Sequence, residues 1–315
     1  MSMLSFAISE CDAPRINPYD PENPDYSYAI LQGNIQTSSL PYQSITGVSV
    51  FWSPANVLVT TNNNGFFKIN NILPVDGKLI FQKTGYQPDT VNVTWGNSKF
   101  LNFQVNLSAV PELDSILIYT EVMLQFTPPG QTAQLFINAK ITNKDNDIDT
   151  VFVENSQLNL RKALGYDAAN KIYQSALSTQ DLNVSDIEQT IGLDFNIVTK
   201  DIFNKEISVG SAKVTRVIKD GASIQFPAND TTVSSTPLFS WQRFNAGYPF
   251  SYRIDIFTNN FTNLPPVFTA SNISSDSISY QLTTRLPSGD YYWVIWVIDQ
   301  FQNRARSLPA TFIVK

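Results

Sequence analysis

The residues best suited to holding a metal ion form one acidic string, Asp145-Asn146-Asp147-Ile148-Asp149. Asp145, Asp147 and Asp149 alternate along the chain, and a turn could direct their carboxylate oxygens at Ca²⁺, which takes about six to eight oxygen ligands. The string has neither the glycine nor the distal glutamate of a calcium-binding loop, and aspartate and asparagine are ordinary turn residues. We therefore expect a plain turn, with a calcium site as the alternative, and no other cofactor.

The composition excludes most catalytic chemistry. The 315 residues include no histidine and one cysteine, Cys11. A Ser-His-Asp or Cys-His nucleophile, a histidine proton shuttle, a His/Cys zinc site and a disulfide within the chain are therefore all excluded. Two carboxylates could still hydrolyse a glycoside, but enzymes of that kind build the pair into a large barrel or a deep cleft. No glycine-rich phosphate loop is present, and we expect no catalytic residues and no enzymatic activity.

Charge and composition restrict the partners. The net charge is −6, whereas nucleic-acid-binding proteins present a basic face, so no nucleic-acid partner is expected. With 43 % apolar and 15 % charged residues, the chain is too hydrophobic and too weakly charged to stay disordered. These values favour folded domains.

Aromatic residues provide the strongest indication of a binding surface. Residues 291–298 are typical of a strand, in which alternate side chains point to opposite faces. Four of them are expected in the core: Tyr291, Trp293, Ile295 and Val297. The opposite face would carry four others: Tyr292, Val294, Trp296 and Ile298. Arg253 and Phe257 on the expected neighbouring strand extend that face, and an exposed apolar patch of this extent marks an interface. We predict that it binds a protein partner or a second copy; the alternative is burial under a local loop such as 261–268.

Two further aromatic residues lie near strand ends in the first third of the chain. Exposed rings of Trp52 and Trp95 could stack on sugars, and a polysaccharide would then be the partner. The alternative is that both rings belong to the core, which is the commoner place for an aromatic residue at a sandwich edge.

The N-terminal residues indicate export. Residues 1–10 are small and apolar, and Ile8-Ser9-Glu10-Cys11 resembles the lipobox of a bacterial lipoprotein signal peptide, with Glu10 where that family has Gly, Ala or Ser. The resemblance implies that Cys11 becomes the lipidated first residue of the mature chain. Residues 11–27 are rich in proline, which blocks helix and ladder pairing and gives a semi-extended tether. We expect an exported protein of the bacterial cell envelope that contacts the outer membrane through the lipid anchor only.

Past residue 27, short runs of Val, Ile, Phe, Tyr and Thr alternate with Asn, Gly and Pro clusters. This pattern is typical of an all-β chain built from sandwiches. We predict three sandwich domains in series, over residues 28–108, 109–222 and 223–315.

The first of these modules has a recognisable order of turns. Thr60-Thr61-Asn62-Asn63-Asn64-Gly65-Phe66-Phe67-Lys68-Ile69 places Asn64-Gly65 where a tight hairpin needs a positive φ. A second turn at Asp76-Gly77 and a terminal Gly85-Tyr86 follow. This order resembles the carboxypeptidase regulatory-like domain. The resemblance implies a seven-stranded, transthyretin-like sandwich that carries no catalytic residues and acts as a rigid spacer or surface module.

The other two modules resemble common envelope domains. Thr236-Pro237-Leu238-Phe239-Ser240-Trp241, the strand around residues 252–256 and the run 286–299 resemble a fibronectin type III-like domain. Between the two recognised modules, strands are predicted over 134–141, 151–153, 191–198 and 214–218, and they look like an immunoglobulin-like sandwich. The sequence therefore predicts a non-catalytic surface or periplasmic lipoprotein that binds or scaffolds a protein partner or polymer. The alternatives are a polysaccharide-binding accessory protein and a structural subunit of a surface assembly.

Overall fold

The computed structural model describes residues 28–126, 130–259 and 265–315. Strands make up 58 % of the residues that the structure describes, which confirms the all-β prediction. Among the described residues no helix has the length and hydrophobicity needed to cross a membrane. Cys11 and the tether lie outside the described residues. Two compact units are present: the first contains the described residues up to Val110 together with Asn143–Asp147, and the second contains Pro111–Thr142 and Ile148–Lys315.

The first unit is a seven-stranded sandwich, as the sequence predicted. Its strands are β1 (Ala29–Thr37), β2 (Ser49–Trp52), β3 (Val57–Thr60), β4 (Phe66–Ile72), β5 (Gly77–Gln82), β6 (Asp89–Val93) and β7 (Phe100–Leu107). One sheet has the order β4-β1-β7, in which β1 pairs antiparallel with β4 and parallel with β7, and the other has the order β3-β2-β5-β6.

Local sequence explains how the first unit turns and packs. Asn62 Oδ1 accepts hydrogen bonds from the backbone N–H groups of Asn64 and Phe66, both at 3.0 Å, and Gly65 adopts the predicted positive φ of 70°. Gly33 is required on β1 because a Cβ there would lie 2.3 Å from the carbonyl oxygen of Phe103. The turn and the close strand contact together fix the register of the β4-β1-β7 sheet.

The described residues of the second unit form sixteen strands and one short 3₁₀ helix, Ile187–Thr190. The strands in its first half are β8 (Glu112–Gln125), β9 (Gly130–Thr142), β10 (Ile148–Asn155), β11 (Leu160–Asp167), β12 (Ile172–Ser178), β13 (Asp194–Asp201) and β14 (Glu206–Lys213). Those in its second half are β15 (Ile224–Phe226), β16 (Thr231–Val233), β17 (Leu238–Trp241), β18 (Phe250–Thr258), β19 (Phe268–Ser274), β20 (Ser279–Gln281), β21 (Gly289–Asp299), β22 (Arg304–Arg306) and β23 (Ala310–Val314).

The strands β8–β14 form a strongly curved sheet of order β14-β13-β10-β11-β12-β9-β8. Its ends approach one another, since a Cβ on Gly210 of β14 would lie 2.5 Å from Leu113 Cδ2 of β8. The predicted strand over 214–218 is wrong. The strand of this region is β14, which ends at Lys213, and Val214 makes only an isolated bridge with Ile191.

The strands β15–β23 form a sandwich in which the three-stranded sheet β15-β17-β20 packs against the sheet that contains β18 and β21. Aromatic rings fill the space between them. Trp293 packs edge-on against Phe239 with ring centroids 4.7 Å apart, and Trp241 packs against Tyr252 at 5.2 Å. The four residues of β21 predicted to lie in the core are all buried there.

One short strand joins the two halves of the second unit. β22 pairs antiparallel with β21 and parallel with β8, with Glu121, Val122 and Met123 opposite residues 304–306. A single sheet therefore runs from β14 to β19. The boundary at residue 222 stays a prediction; the backbone pairing of β8 with β22 joins the segments on its two sides.

Candidate functional site

The outer face of β21 is the candidate functional site. Strand register places side chains from five neighbouring strands, β9, β8, β22, β21 and β18, on this one face. We call it the arginine–aromatic face, and define it by these residues: Tyr119, Glu121, Phe136, Arg253, Asp255, Phe257, Tyr292, Trp296, Arg304 and Arg306.

Trp296 lies at the centre of the arginine–aromatic face and is 6 % exposed. Its Nε1–H donates to Asp255 Oδ2 at 2.8 Å. The guanidinium of Arg253 lies 4.8 Å from the ring centroid, and those of Arg304 and Arg306 lie at 5.5 and 5.9 Å. Cations at such distances are attracted to the ring quadrupole. The ring is therefore covered by arginine side chains.

Asp255 holds one end of the face together. Its Oδ2 accepts from Arg253 Nη2 at 2.9 Å as well as from Trp296, and its Oδ1 accepts from Thr269 Oγ1 at 2.9 Å. The carboxylate is buried, so these bonds replace the water that it loses.

Arg304 holds the other end. Its guanidinium donates to Glu121 Oε2 at 2.6 Å and lies 4.8 Å from the ring of Tyr119. Tyr119 is stacked on Phe136, with centroids 5.0 Å apart and planes 3° from parallel. The stack continues the aromatic surface from β22 onto β8 and β9.

A buried polar cluster lies beside this face, at the turn between β21 and β22. Asn303 Oδ1 accepts from the backbone N–H of Thr120 at 2.9 Å, and Asn303 Nδ2 donates to Asp299 Oδ2 at 3.1 Å. Arg216 pairs with the same Asp299 oxygen at 3.2 Å and stacks on Tyr248 at 3.8 Å. These bonds fix β22 to β8, so the face is held rigidly.

The exposure of the predicted partner-binding residues differs from the prediction. Val294 and Trp296 are 1 % and 6 % exposed, so they are not surface residues. The predicted apolar patch is wrong at these two positions, because Arg253, Arg304 and Arg306 cover the ring. Tyr292, Ile298, Arg253 and Phe257 are half-buried and remain accessible in part. The loop suggested as a cover, 261–268, lies partly outside the described residues.

The predicted sugar-stacking residues are buried. Trp52 and Trp95 are 0 % and 3 % exposed and pack edge-on at a centroid distance of 6.4 Å. Trp95 Nε1–H donates to the carbonyl of Val75 at 3.1 Å. Neither ring offers a free face to a sugar, so this assignment is wrong and the core alternative describes both residues.

The acidic string is divided between the two units. Asp145 is buried in the first unit, where its Oδ2 accepts from the backbone N–H of Ala109 at 2.6 Å and from Ser38 Oγ at 3.1 Å. Asp147 is also buried there, whereas Asp149 belongs to the second unit, is exposed, and lies 3.8 Å from Lys200 Nζ. Within the described ranges no three acidic, histidine or cysteine side chains converge as metal ligands. The calcium site stays a prediction without support in this geometry.

The sequence prediction missed Arg304 and Arg306. They are two residues apart on a strand, and this spacing places both side chains on one face. The alternation of Arg304-Ala305-Arg306 indicates that both arginines share one face of a strand. That they belong to the site depends on β8, which lies beside β22 but is almost two hundred residues away in the sequence.

Three of the solved structures that are similar to this chain have the following values. The fibronectin(III)-like modules of Clostridium thermocellum CbhA match 65 % of this chain and 93 % of theirs, with 11 % identity and a TM-score of 0.31. The FN1–FN3 domains of chicken CNTN1 match 87 % and 93 %, with 10 % identity and a TM-score of 0.34. A putative carbohydrate binding protein from Bacteroides uniformis matches 59 % and 99 %, with 9 % identity and a TM-score of 0.24. At these values the resemblance does not extend to function.

Sequence comparison finds a similarity for the first part of the chain. No curated protein matches the chain. The family model of the CarboxypepD_reg-like domain matches residues 31–118, which cover most of the seven-stranded sandwich and run into β8. Residues 31–118 are therefore similar to the CarboxypepD_reg-like domain.

Proposed function

We propose that this chain is a non-catalytic binding and scaffold protein, and that the arginine–aromatic face is the surface that binds its partner. The observation that carries the proposal is the stacked pair Phe257 and Tyr292, with ring centroids 4.8 Å apart and planes 8° from parallel. Both rings are half-buried, and Tyr292 lines a cleft together with Arg306. Aromatic and arginine side chains together are the types enriched where proteins bind partners.

A rigid support favours the same role. The face crosses five hydrogen-bonded strands and is fixed to β8 by Asn303 and Thr120. A preorganised surface loses little conformational entropy on binding, which raises affinity. Such a surface suits a module that holds a protein or polymer at a set position.

We further propose that the protein is exported to a bacterial cell envelope and anchored through a lipid on Cys11. The support is the lipobox-like sequence that ends at Cys11 and the proline-rich segment after it. Metabolic labelling with a fatty acid tests this directly, and Cys11→Ser is expected to abolish both the label and membrane retention. Labelling that persists in the variant would contradict the anchor.

The binding proposal is tested by co-sedimentation with isolated bacterial envelopes. The Cys11→Ser form of the full chain is used, so that a lipid cannot drive sedimentation. Tyr292→Ser is expected to weaken co-sedimentation on the order of tenfold, since a buried aromatic contact at an interface is worth about 1–2 kcal/mol or more. Lys140→Gln, which changes an exposed residue of β9, is the matched control and should bind normally.

Co-sedimentation with envelopes that have first been digested identifies the class of partner. Loss of binding after protease treatment identifies a protein, and loss after digestion with polysaccharide lyases identifies a polymer. Equal binding by the parent protein and Tyr292→Ser, with both folded by thermal melting, would contradict the proposed role of the face.

A further inference from the structure

Arg306 differs from the other arginines of the arginine–aromatic face in having too few acceptors. One Nη donates to the carbonyl oxygen of Leu124 at a long 3.4 Å. Its Nε is buried and has no hydrogen-bond partner among the residues that the structure describes. A guanidinium carries several N–H donors in a planar fork, so most of the donor capacity of Arg306 is unused.

The charges on the face do not balance. The arginine–aromatic face contains two carboxylates. Asp255 forms an ion pair with Arg253, and Glu121 forms one with Arg304. Within the described part of the chain, neither forms an ion pair with Arg306. Burial lowers the pKa of Arg306, and the negative charges of Glu121 and Asp255 offset this only in part. Arginine nevertheless stays protonated in proteins, so one positive charge on the face has no counter-ion.

Arg306 lines a cleft of about 360 Å³, which we call the Arg306 cleft. Its other lining residues are Phe126, Asn259, Tyr292, Pro309 and Thr311. The ring of Phe126 is 58 % exposed. Asn259, Tyr292 and Thr311 add neutral hydrogen-bonding groups around the guanidinium. The cleft thus combines one cation, one exposed ring and several neutral polar groups.

We propose that the Arg306 cleft binds a uronic acid unit of an acidic polysaccharide. The sugar carboxylate pairs with the Arg306 guanidinium, a pyranose face stacks on Phe126, and hydroxyl groups bond to the neutral polar side chains. Carboxylate and guanidinium form strong, charge-assisted hydrogen bonds, which supply acceptors to the Nη groups of Arg306, whereas its Nε is buried. This inference rests on the proposed binding function and names the class of polymer.

Two features favour a polymer over an acidic peptide. A second cleft of about 410 Å³ shares Phe126, Pro309 and Thr311 with the Arg306 cleft, so adjacent sugar units can lie in both. In the part of the chain that the structure describes, the two strands that carry Arg306 and Thr311 offer no free edge to which an extended peptide could add, since β22 pairs with β8 and β21, and β23 pairs with β16 and β21.

The test is isothermal titration of the full chain with trigalacturonic acid and with its methyl ester. We expect the acid to bind and the uncharged ester to bind on the order of tenfold more weakly, because the ester cannot pair with Arg306. Arg306→Gln should lower the affinity for the acid by a similar factor and change the affinity for the ester little. Arg306→Lys, which keeps the charge but lacks the planar fork, should be intermediate.

The matched control is Arg243→Gln, which removes an exposed arginine of the same sandwich that pairs with Asp276. It should bind the acid like the parent protein. Equal binding of acid and ester by the parent protein, or absence of binding to both, would overturn the proposal without requiring any variant to fold. Binding of poly-glutamate but not trigalacturonic acid would overturn the sugar assignment. If co-sedimentation with envelopes is at the same time intact and protease-sensitive, the binding function stands and only this inference fails.

Discussion

The two faces of β21 bury their side chains in different ways. On the inner face, Trp293 is fully buried among rings such as Phe239, and its Nε1–H donates to the neutral carbonyl of Pro227 at 2.8 Å. On the outer face, Trp296 is almost as buried, but its neighbours are arginines and its Nε1–H donates to the carboxylate of Asp255. Burial alone does not distinguish a core from a charged layer. The residues that cover each tryptophan do distinguish them: apolar rings on the inner face and arginines on the outer face. The outer face is therefore the one that can bind a partner.

The largest effect is expected on the inner face. Trp293→Ala should lower the free energy of unfolding by about 3–5 kcal/mol, because it removes a fully buried aromatic side chain and leaves a cavity between the sheets. Urea unfolding of the full chain, followed by fluorescence and circular dichroism, measures this. A loss below about 1 kcal/mol, the size of a typical surface effect, would show that Trp293 is not a core residue.

A smaller but still substantial effect is expected from Asp255→Ala on the outer face. The change leaves Arg253 and Trp296 Nε1 without their acceptor, and we expect a loss of about 2–3 kcal/mol, since Arg253 remains partly hydrated. Asp290→Ala, which removes an exposed carboxylate on the neighbouring strand β21, is the control and should change stability by less than about 0.5 kcal/mol. Equal losses in the two variants would contradict the role of Asp255.

Replacing each tryptophan by phenylalanine sharpens the comparison. Both changes keep an aromatic ring and remove one N–H donor. Trp296→Phe loses a hydrogen bond to a charged acceptor, which should lower the free energy of unfolding by about 1.5–3 kcal/mol. Trp293→Phe loses a hydrogen bond to a neutral carbonyl, and this loss should lower it by only about 0.5–1.5 kcal/mol. The same urea titrations serve as the measurement, repeated at high salt. Neither loss of stability should change much with salt, because both hydrogen bonds are buried and salt screens buried groups little. Equal losses in the two variants would contradict the difference between the two faces.

The smallest effect concerns Asp181, which is remote from both faces. Hydrogen bonds from Ser178, and then from Lys162, lower the pKa of its carboxyl from 3.8 to about 2. The folded pKa is depressed, so the stabilisation is present above pH 4 and is lost as the pH falls towards 2. Carboxyl-detected NMR titration of the protein should show this pKa, and Ser178→Ala should return it towards 3.8. An unchanged titration in Ser178→Ala would contradict the assigned cause.

Local patterns predicted most of the fold. Alternation identified the inner face of β21, and the Asn64-Gly65 turn identified the hairpin of the first unit, because both depend on residues close in sequence. The site was predicted only in part. Trp296 was found, but its environment depends on β22 meeting β8, and no local pattern specifies a parallel pairing between strands so far apart. For Trp52 and Trp95 the sequence left both sugar stacking and burial in the core open, because nothing local shows that the two rings meet in the core.

The pairing of β8 with β22 is tested most directly by native-state hydrogen exchange of the full chain, comparing Asn303→Ala with the parent protein. The variant leaves the buried N–H of Thr120 without its acceptor, which should lower the free energy of unfolding by about 1–3 kcal/mol. If one sheet joins both halves of the second unit, amides of β8 and of β21 should lose protection by the same amount, as members of one cooperative unit. Loss confined to β21, with β8 as protected as before, would contradict a continuous sheet and the face built on it.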